Sequence, residues 1–114
     1  MKKDEAKQTQ FQTRCVLGGG HKDTAHDSVI TPIYVTSNFA LEKPGTLKGH
    51  FYTRLSNPTR EALEDCLASL EGGARAAATG SGMAAEATVM HFFDPGHVIA
   101  PRELYGGTHH LFTD

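Results

Sequence analysis

The sequence predicts an α/β fold built on one strand–helix–strand unit, and three features of residues 74–100 carry that expectation. A run of small residues at 74–78 leads into Thr79-Gly80-Ser81-Gly82, a glycine-rich turn of the kind that joins a strand to a helix. An apolar segment of helical length, 83–93, follows the turn. Asp94-Pro95-Gly96 then stops the helix, and Val98-Ile99-Ala100 is short and apolar, as a buried strand is. Connected in this order, such elements form a βαβ unit of a mostly parallel sheet.

Length and composition narrow the class. At 114 residues there is room for one modest domain or a piece of a larger one. Hydrophobic residues at 39% and charged residues at 21% place the chain among globular proteins rather than disordered ones. A formal net charge of −2 gives no electrostatic reason to expect nucleic acid or an anionic membrane as partner. Residues 1–10 are polar and lack the apolar core of a secretory signal, and no apolar run approaches the roughly 20 residues of a membrane span. Cys15 and Cys66 are too few for a disulfide framework and form no Cys-x-x-Cys pair, so a reducing cytoplasm is the expected compartment.

Taken in order, residues 1–56 read as an extended arm without a core of its own. Gly18-Gly19-Gly20 opens a polar stretch. Residues 29–36 are β-branched, but Pro32 cannot donate to a ladder, which fits an edge or an irregular extended segment. Pro44-Gly45 marks a turn. Such an arm must lie on something else to bury Ile33, Tyr34, Phe39 and Phe51. A helix follows: Asn57 is the N-cap candidate, Pro58 suits the first helical position, and Glu61 and Glu64 sit near its positive end. Leu63, Cys66, Leu67 and Leu70 recur at helical spacing as one apolar stripe, which makes Cys66 a core thiol, and Gly72-Gly73 ends the helix. The next helix, from Ser81, is apolar almost all round and is expected to be buried on most sides. Both faces of a parallel sheet need cover, and residue 114 falls where a further helix would begin, so the expectation is a fragment of a larger domain.

The chemistry centres on the turn. Ser81 is placed to cap the helix, and Gly82 allows close approach to the backbone. The N–H groups of Gly82, Met83 and Ala84 are expected to face outward at the positive end of the helix dipole, a setting that suits a phosphate. A strand-to-helix turn that binds nothing has the same local composition, so the turn alone leaves the choice open. Seven histidines form no His-x-x-x-His pair and no cluster with cysteine, and His109 and His110 are adjacent, which argues against a metal site.

Four linked motifs then add a resemblance. Tyr52-Thr53-Arg54-Leu55-Ser56-Asn57-Pro58-Thr59, Leu70-Glu71-Gly72-Gly73, Ser81-Gly82-Met83-Ala84-Ala85 and Leu104-Tyr105-Gly106-Gly107-Thr108 occur in the order and spacing of the Cys/Met-metabolism family of pyridoxal-phosphate enzymes. Residues 31–39 also resemble the family's arm motif. The match runs from about Arg14 to the last residue and resembles roughly the N-terminal third of a trans-sulfuration enzyme.

The resemblance implies the type I, aspartate-aminotransferase-like α/β fold: residues 1–56 as an arm packing on a neighbouring subunit, and 57–114 as the start of the cofactor-binding large domain. It implies that pyridoxal 5'-phosphate is the cofactor, with its phosphate held by the Ser81-Gly82-Met83 turn. Tyr52 and Arg54 would reach the same phosphate from the neighbouring subunit, and Tyr105 would stack on the pyridine ring as the catalytic aromatic. The implied substrates are sulfur amino acids or homoserine esters. The implied reaction is β- or γ-elimination, or γ-replacement, with the cofactor as electron sink. The implied assembly is a homo-oligomer with a dimer as active unit and a tetramer expected. The family's catalytic lysine and its pyridinium-pairing aspartate fall beyond Asp114. Subfamily signals conflict. His50-Phe51-Tyr52 resembles methionine γ-lyase, Gly107 stands where that enzyme often has cysteine, and His110 stands where cystathionine-handling members place arginine. Two other readings stay open: a non-catalytic remnant that binds only an anion or a partner subunit, and an unrelated nucleotide-binding α/β module.

Overall fold

The structure, a computed structural model, describes residues 10–18, 23–46, 49–93 and 96–113. Four helices lie among them: α1 (Phe11–Leu17), α2 (Pro58–Glu71), α3 (Gly82–Met90) and α4 (Gly106–Thr113). They belong to two compact units, residues 1–77 and 78–114, so α2 groups with the residues before it.

In the first unit α2 forms where its termination signals place it. Asn57 is extended, and its side chain accepts a hydrogen bond from the Thr59 N–H at 2.9 Å, with Pro58 in the first turn. At the other end Gly72 adopts φ 69°, a left-handed conformation that glycine takes without a Cβ penalty, and Gly73 N–H closes on the Ala68 carbonyl at 2.9 Å. The buried face differs from the predicted stripe. Ala62 and Ala68 are buried, whereas Leu63 and Leu67 are 52% and 43% exposed and Cys66 is half-buried. The stripe is apolar as expected, but it is only partly covered among the described residues.

Helix α1 was not expected. Its seven residues are too few to show a periodic pattern, and a helix that short is not stable by local propensity. Packing against α2 holds it: the Arg14 guanidinium Nη1 donates to the Ser69 carbonyl at 2.6 Å, near the negative end of α2. The arm between the two helices is extended and irregular around Pro32, as anticipated, with Ile33 and Val35 largely exposed. Pro44-Gly45 does form a turn, with Thr46 N–H on the Lys43 carbonyl at 3.2 Å. Residues 19–22, which include two of the three glycines of the early run, lie outside the described residues.

In the second unit the helix of the βαβ expectation forms and its strands do not. Residues 75–79 and 96–100 adopt no regular secondary structure, and no strand forms among the described residues, whose one isolated antiparallel bridge joins Asn38 to Tyr52. A strand is defined by a ladder of hydrogen bonds to a neighbouring strand, and neither segment forms such a ladder among the described residues. Helix α3 begins at Gly82 as predicted and gives way to turns after Met90, short of residue 93. Asp94 and Pro95, two of the three predicted stop residues, lie outside the described residues. Burial of α3 does not occur: it has no buried residue, and Phe92 and Phe93 beyond it are 82% and 63% exposed. Helix α4 starts at Gly106, eight residues before the end of the sequence. No helix among the described residues is long and apolar enough to cross a membrane.

Candidate functional site

In the first unit, Tyr52 and Arg54 sit on a tight turn. Phe39 N–H bonds the Phe51 carbonyl at 3.0 Å and Thr53 N–H bonds the Ser37 carbonyl at 2.9 Å, which pins the strand-like approach. Leu55 and Ser56 N–H groups then both close on the Tyr52 carbonyl, at 3.0 and 3.2 Å. The side chains of Tyr52 and Arg54 meet: Arg54 Nη2 donates to Tyr52 Oη at 3.1 Å, and its guanidinium lies 5.0 Å from the ring centroid. Arg54 has no carboxylate partner among the described residues.

The scaffold under this turn is more elaborate than the sequence reading supplied. Asn57 is buried and uses its whole amide: Nδ2 donates to the Tyr34 carbonyl at 3.0 Å and to Thr53 Oγ1 at 2.7 Å, while Oδ1 caps α2. Thr59 Oγ1 accepts from Tyr34 N–H at 2.9 Å and donates to the Pro32 carbonyl at 3.2 Å. Arg60 reaches back to the carbonyls of Thr53 and Leu55, at 3.3 and 2.6 Å. His50 bridges Ser56 Oγ at 2.9 Å and the Glu61 carboxylate at 3.5 Å. Sequence reasoning named Asn57 only as a cap; its spacing to Thr53, one helical turn earlier, was the available signal for the second role.

In the second unit, Ser81 caps α3 as expected. Its Oγ accepts from Ala84 N–H at 3.2 Å, and Thr79 Oγ1 holds the Ser81 carbonyl at 2.8 Å. This corrects one expectation, because Ala84 N–H is engaged by the cap and only two amides remain. The Gly82 and Met83 N–H groups have no acceptor among the described residues, as the first turn of a helix requires. Tyr105, 75% exposed, precedes α4, and its carbonyl takes the His109 N–H at 3.0 Å. Gly107 packs where a Cβ would stand 2.9 Å from Met83 Sδ and 3.0 Å from Tyr105 Cε1. Thr108 is buried and donates to Glu86 Oε2 at 2.7 Å. The Tyr105 ring edge and the Met83 side chain therefore both flank Gly107.

A separate cleft of about 130 Å³ is lined by Asp23, Thr24, Ala25, Thr31, Pro32, Tyr34 and Pro58, and it contains none of the predicted site residues. Asp23 holds its own turn: Oδ1 accepts from Ala25 N–H at 2.9 Å, and that bond keeps the carboxyl below its ordinary value. No group of three or more potential metal-ligating side chains occurs among the described residues.

These elements match proteins of known class. The chain resembles a cystathionine gamma-lyase structure from Lactobacillus plantarum, solved with L-serine: TM-score 0.80 and 37% identity, covering 92% of this chain and 28% of that one. A cystathionine gamma-synthase structure from Xanthomonas oryzae pv. oryzae, in complex with aminoacrylate and cysteine, gives TM-score 0.80 and 37% identity over 91% of this chain and 27% of that chain. Among curated relatives, a cystathionine beta-lyase of Coxiella burnetii is 42% identical over 107 residues, 93% of this chain and 28% of its own length. The sequence model for the Cys/Met metabolism PLP-dependent enzymes matches residues 12–114, and the chain belongs to that family. It spans less than a third of the length of these relatives.

Proposed function

We propose that this chain provides the phosphate cradle, the ring platform and the intersubunit clamp of a pyridoxal-phosphate enzyme of trans-sulfuration, acting by β- or γ-elimination or γ-replacement on a sulfur amino acid or homoserine ester. The observation that carries it is that one unit holds two amides without an acceptor among the described residues and an exposed aromatic ring, with Met83 and the ring edge both flanking Gly107. A phosphate monoester and an aromatic heterocycle joined in one small molecule need that combination.

The residues present fit the group. Gly82 and Met83 offer N–H donors at the positive end of α3, where a dianion is favoured. Open space at Gly82 lets a ligand approach the backbone. Arg54 carries a guanidinium that can fork onto phosphate oxygens, and Tyr52 adds a hydroxyl beside it. Tyr105 offers a flat apolar face that orients a ring and excludes water from it. When bound, the cofactor supplies the electron sink for proton removal at the substrate Cα; the residues described here bind and orient. Residues 1–56 are proposed to lie on a neighbouring subunit, which brings Tyr52 and Arg54 to that subunit's cradle, in a dimer that pairs into a tetramer.

The test is cofactor affinity of the complete protein. Arg54→Ala removes up to two hydrogen bonds to a charged group, each worth about 1.5–3 kcal/mol, so affinity for pyridoxal phosphate should fall roughly ten- to a thousand-fold or more. Arg54→Lys should restore part of the loss. Equal affinity in parent and Arg54→Ala, measured by fluorescence titration of the apoprotein, would remove Arg54 from the site.

A further inference from the structure

The cofactor's ring and phosphate are joined by a short covalent link, so a platform and a cradle that serve it must keep a fixed spacing. Tyr105 is 75% exposed, so burial of its own ring does not fix that spacing. Its backbone is fixed, because the Tyr105 carbonyl receives the first hydrogen bond of α4. Whatever fixes α4 against α3 therefore fixes Tyr105 against the Gly82 and Met83 amides.

Met83 and Glu86, three residues apart, lie on one face of α3, and Thr108 stands in the first turn of α4, three residues after Tyr105. Thr108 is 7% exposed, and its hydroxyl donates to Glu86 Oε2 at 2.7 Å while lying 3.9 Å from Met83 Sδ. A hydroxyl donating to a carboxylate is a short, directional and strong form of hydrogen bond. Between the two lies Gly107, so close to Met83 and the Tyr105 ring edge that a side chain would have to displace one of them. The four residues Met83, Glu86, Gly107 and Thr108 thus form one packed joint behind the ring.

We propose that Glu86 and Thr108 are positioning residues for the Tyr105 platform: their hydrogen bond sets the distance between the aromatic ring and the α3 amides. The inference rests on the reading that Tyr105 stacks on the cofactor ring while Gly82 and Met83 hold its phosphate. Neither Glu86 nor Thr108 touches the cofactor; both act through the ring.

The test uses the complete protein as apoprotein titrated with pyridoxal phosphate, reading the dissociation constant and the circular dichroism of the cofactor band. Thr108→Val keeps the shape and removes the hydroxyl; it should weaken binding by roughly three- to thirty-fold, the range set by one hydrogen bond, and diminish the dichroism. Thr108→Ser should stay close to the parent, and Glu86→Gln, which keeps a neutral acceptor, should fall between. In a Tyr105→Ala background Thr108→Val should cause no further loss, because the ring it positions is gone. Loss by the same factor in both backgrounds, or a Thr108→Ser protein as weak as Thr108→Val, would overturn the proposal while leaving the cofactor site intact. Tyr105→Ala with unchanged affinity and dichroism would instead remove the platform reading itself, and the proposal with it.

Discussion

Single side chains here do more than one job, and the hydrogen-bond geometry shows which job comes first. Arg54 faces a phenol and an aromatic ring rather than a carboxylate, so its charge stays available for an anionic ligand. Arg60, three helical residues from the N-cap, is spent on main-chain carbonyls of the same turn. The two arginines are indistinguishable by type; only their partners separate one spent on main-chain carbonyls from one that faces an aromatic side chain. Asp23 illustrates the same distinction for a carboxylate. Its oxygen is the acceptor for Ala25 N–H first of all, with further backbone N–H groups of Ser28 and His26 and the nearby His26 charge acting the same way against the cost of burial. The folded carboxyl therefore titrates below its ordinary 3.8. A depressed acid contributes stability that is complete above its unfolded value and is lost as pH falls through the folded one. The 23–28 turn should thus be unaffected between pH 5 and 8 and loosen only below about 3.8. Proton exchange at the Ala25 amide, followed against pH, checks this; protection that fades already near pH 6 would point to a histidine instead.

At the scale of elements, what was legible in the sequence was what depends on neighbours in sequence. Helices α2 and α3 carry their own signals: a capping side chain at Asn57 and at Ser81, proline in the first turn of α2, and glycine at its end. What was not legible depends on distant partners. Residues 75–79 and 96–100 have strand-like composition, yet pairing needs an adjacent strand that they do not have among the described residues. Helix α1 was invisible for the reverse reason, since its seven residues are held by a contact to Ser69, far along the chain. The site divides in the same way. Ser81, Gly82 and Met83 announced themselves by local pattern, while Glu86 and Thr108 come together only through the packing of two helices. Asn57 lies between these cases, a local cap that also ties the arm at Tyr34 and Thr53 to the helix. Asn57→Ala should therefore cost about 2–4 kcal/mol, a cap plus buried hydrogen bonds, more than a cap alone. Asn57→Asp keeps the cap oxygen but not the two amide donors, so it should preserve α2 and loosen residues 32–36 and 52–54. Thermal unfolding with amide exchange at Thr59 and Tyr34 separates these effects; uniform destabilisation in both variants would deny the double role.

For the molecule as a whole, the apolar surface sets the terms. Val29, Ile30, Ile33 and Val35 on the arm, Leu63 on α2, and Phe92 and Ile99 in the second unit are each at least half exposed, several almost fully. Apolar patches of this kind favour association, so a polypeptide of residues 1–114 alone should self-associate or aggregate; a monodisperse monomer with a sharp cooperative unfolding transition would contradict that. In the complete protein the same exposure on the arm bears on where the site is assembled. Tyr52 and Arg54 end an arm whose aliphatic residues are uncovered, while the free amides and Tyr105 belong to the second unit. An arm that buries Ile33 and Val35 on a second copy of the chain would carry its phosphate ligands into that copy's cradle. Two-fold symmetry makes the exchange reciprocal and gives two identical shared sites. Complementation tests this directly. An Arg54→Ala subunit is mixed with a subunit whose catalytic lysine has been replaced, each inactive or severely impaired by itself. If sites are shared, every mixed dimer holds one site with both lesions and one with neither, so activity should rise on mixing toward a quarter of the parent, since about half of randomly formed dimers are mixed and each has one intact site of two. If each chain supplies all residues of its own site, every site keeps one lesion, and mixing restores nothing.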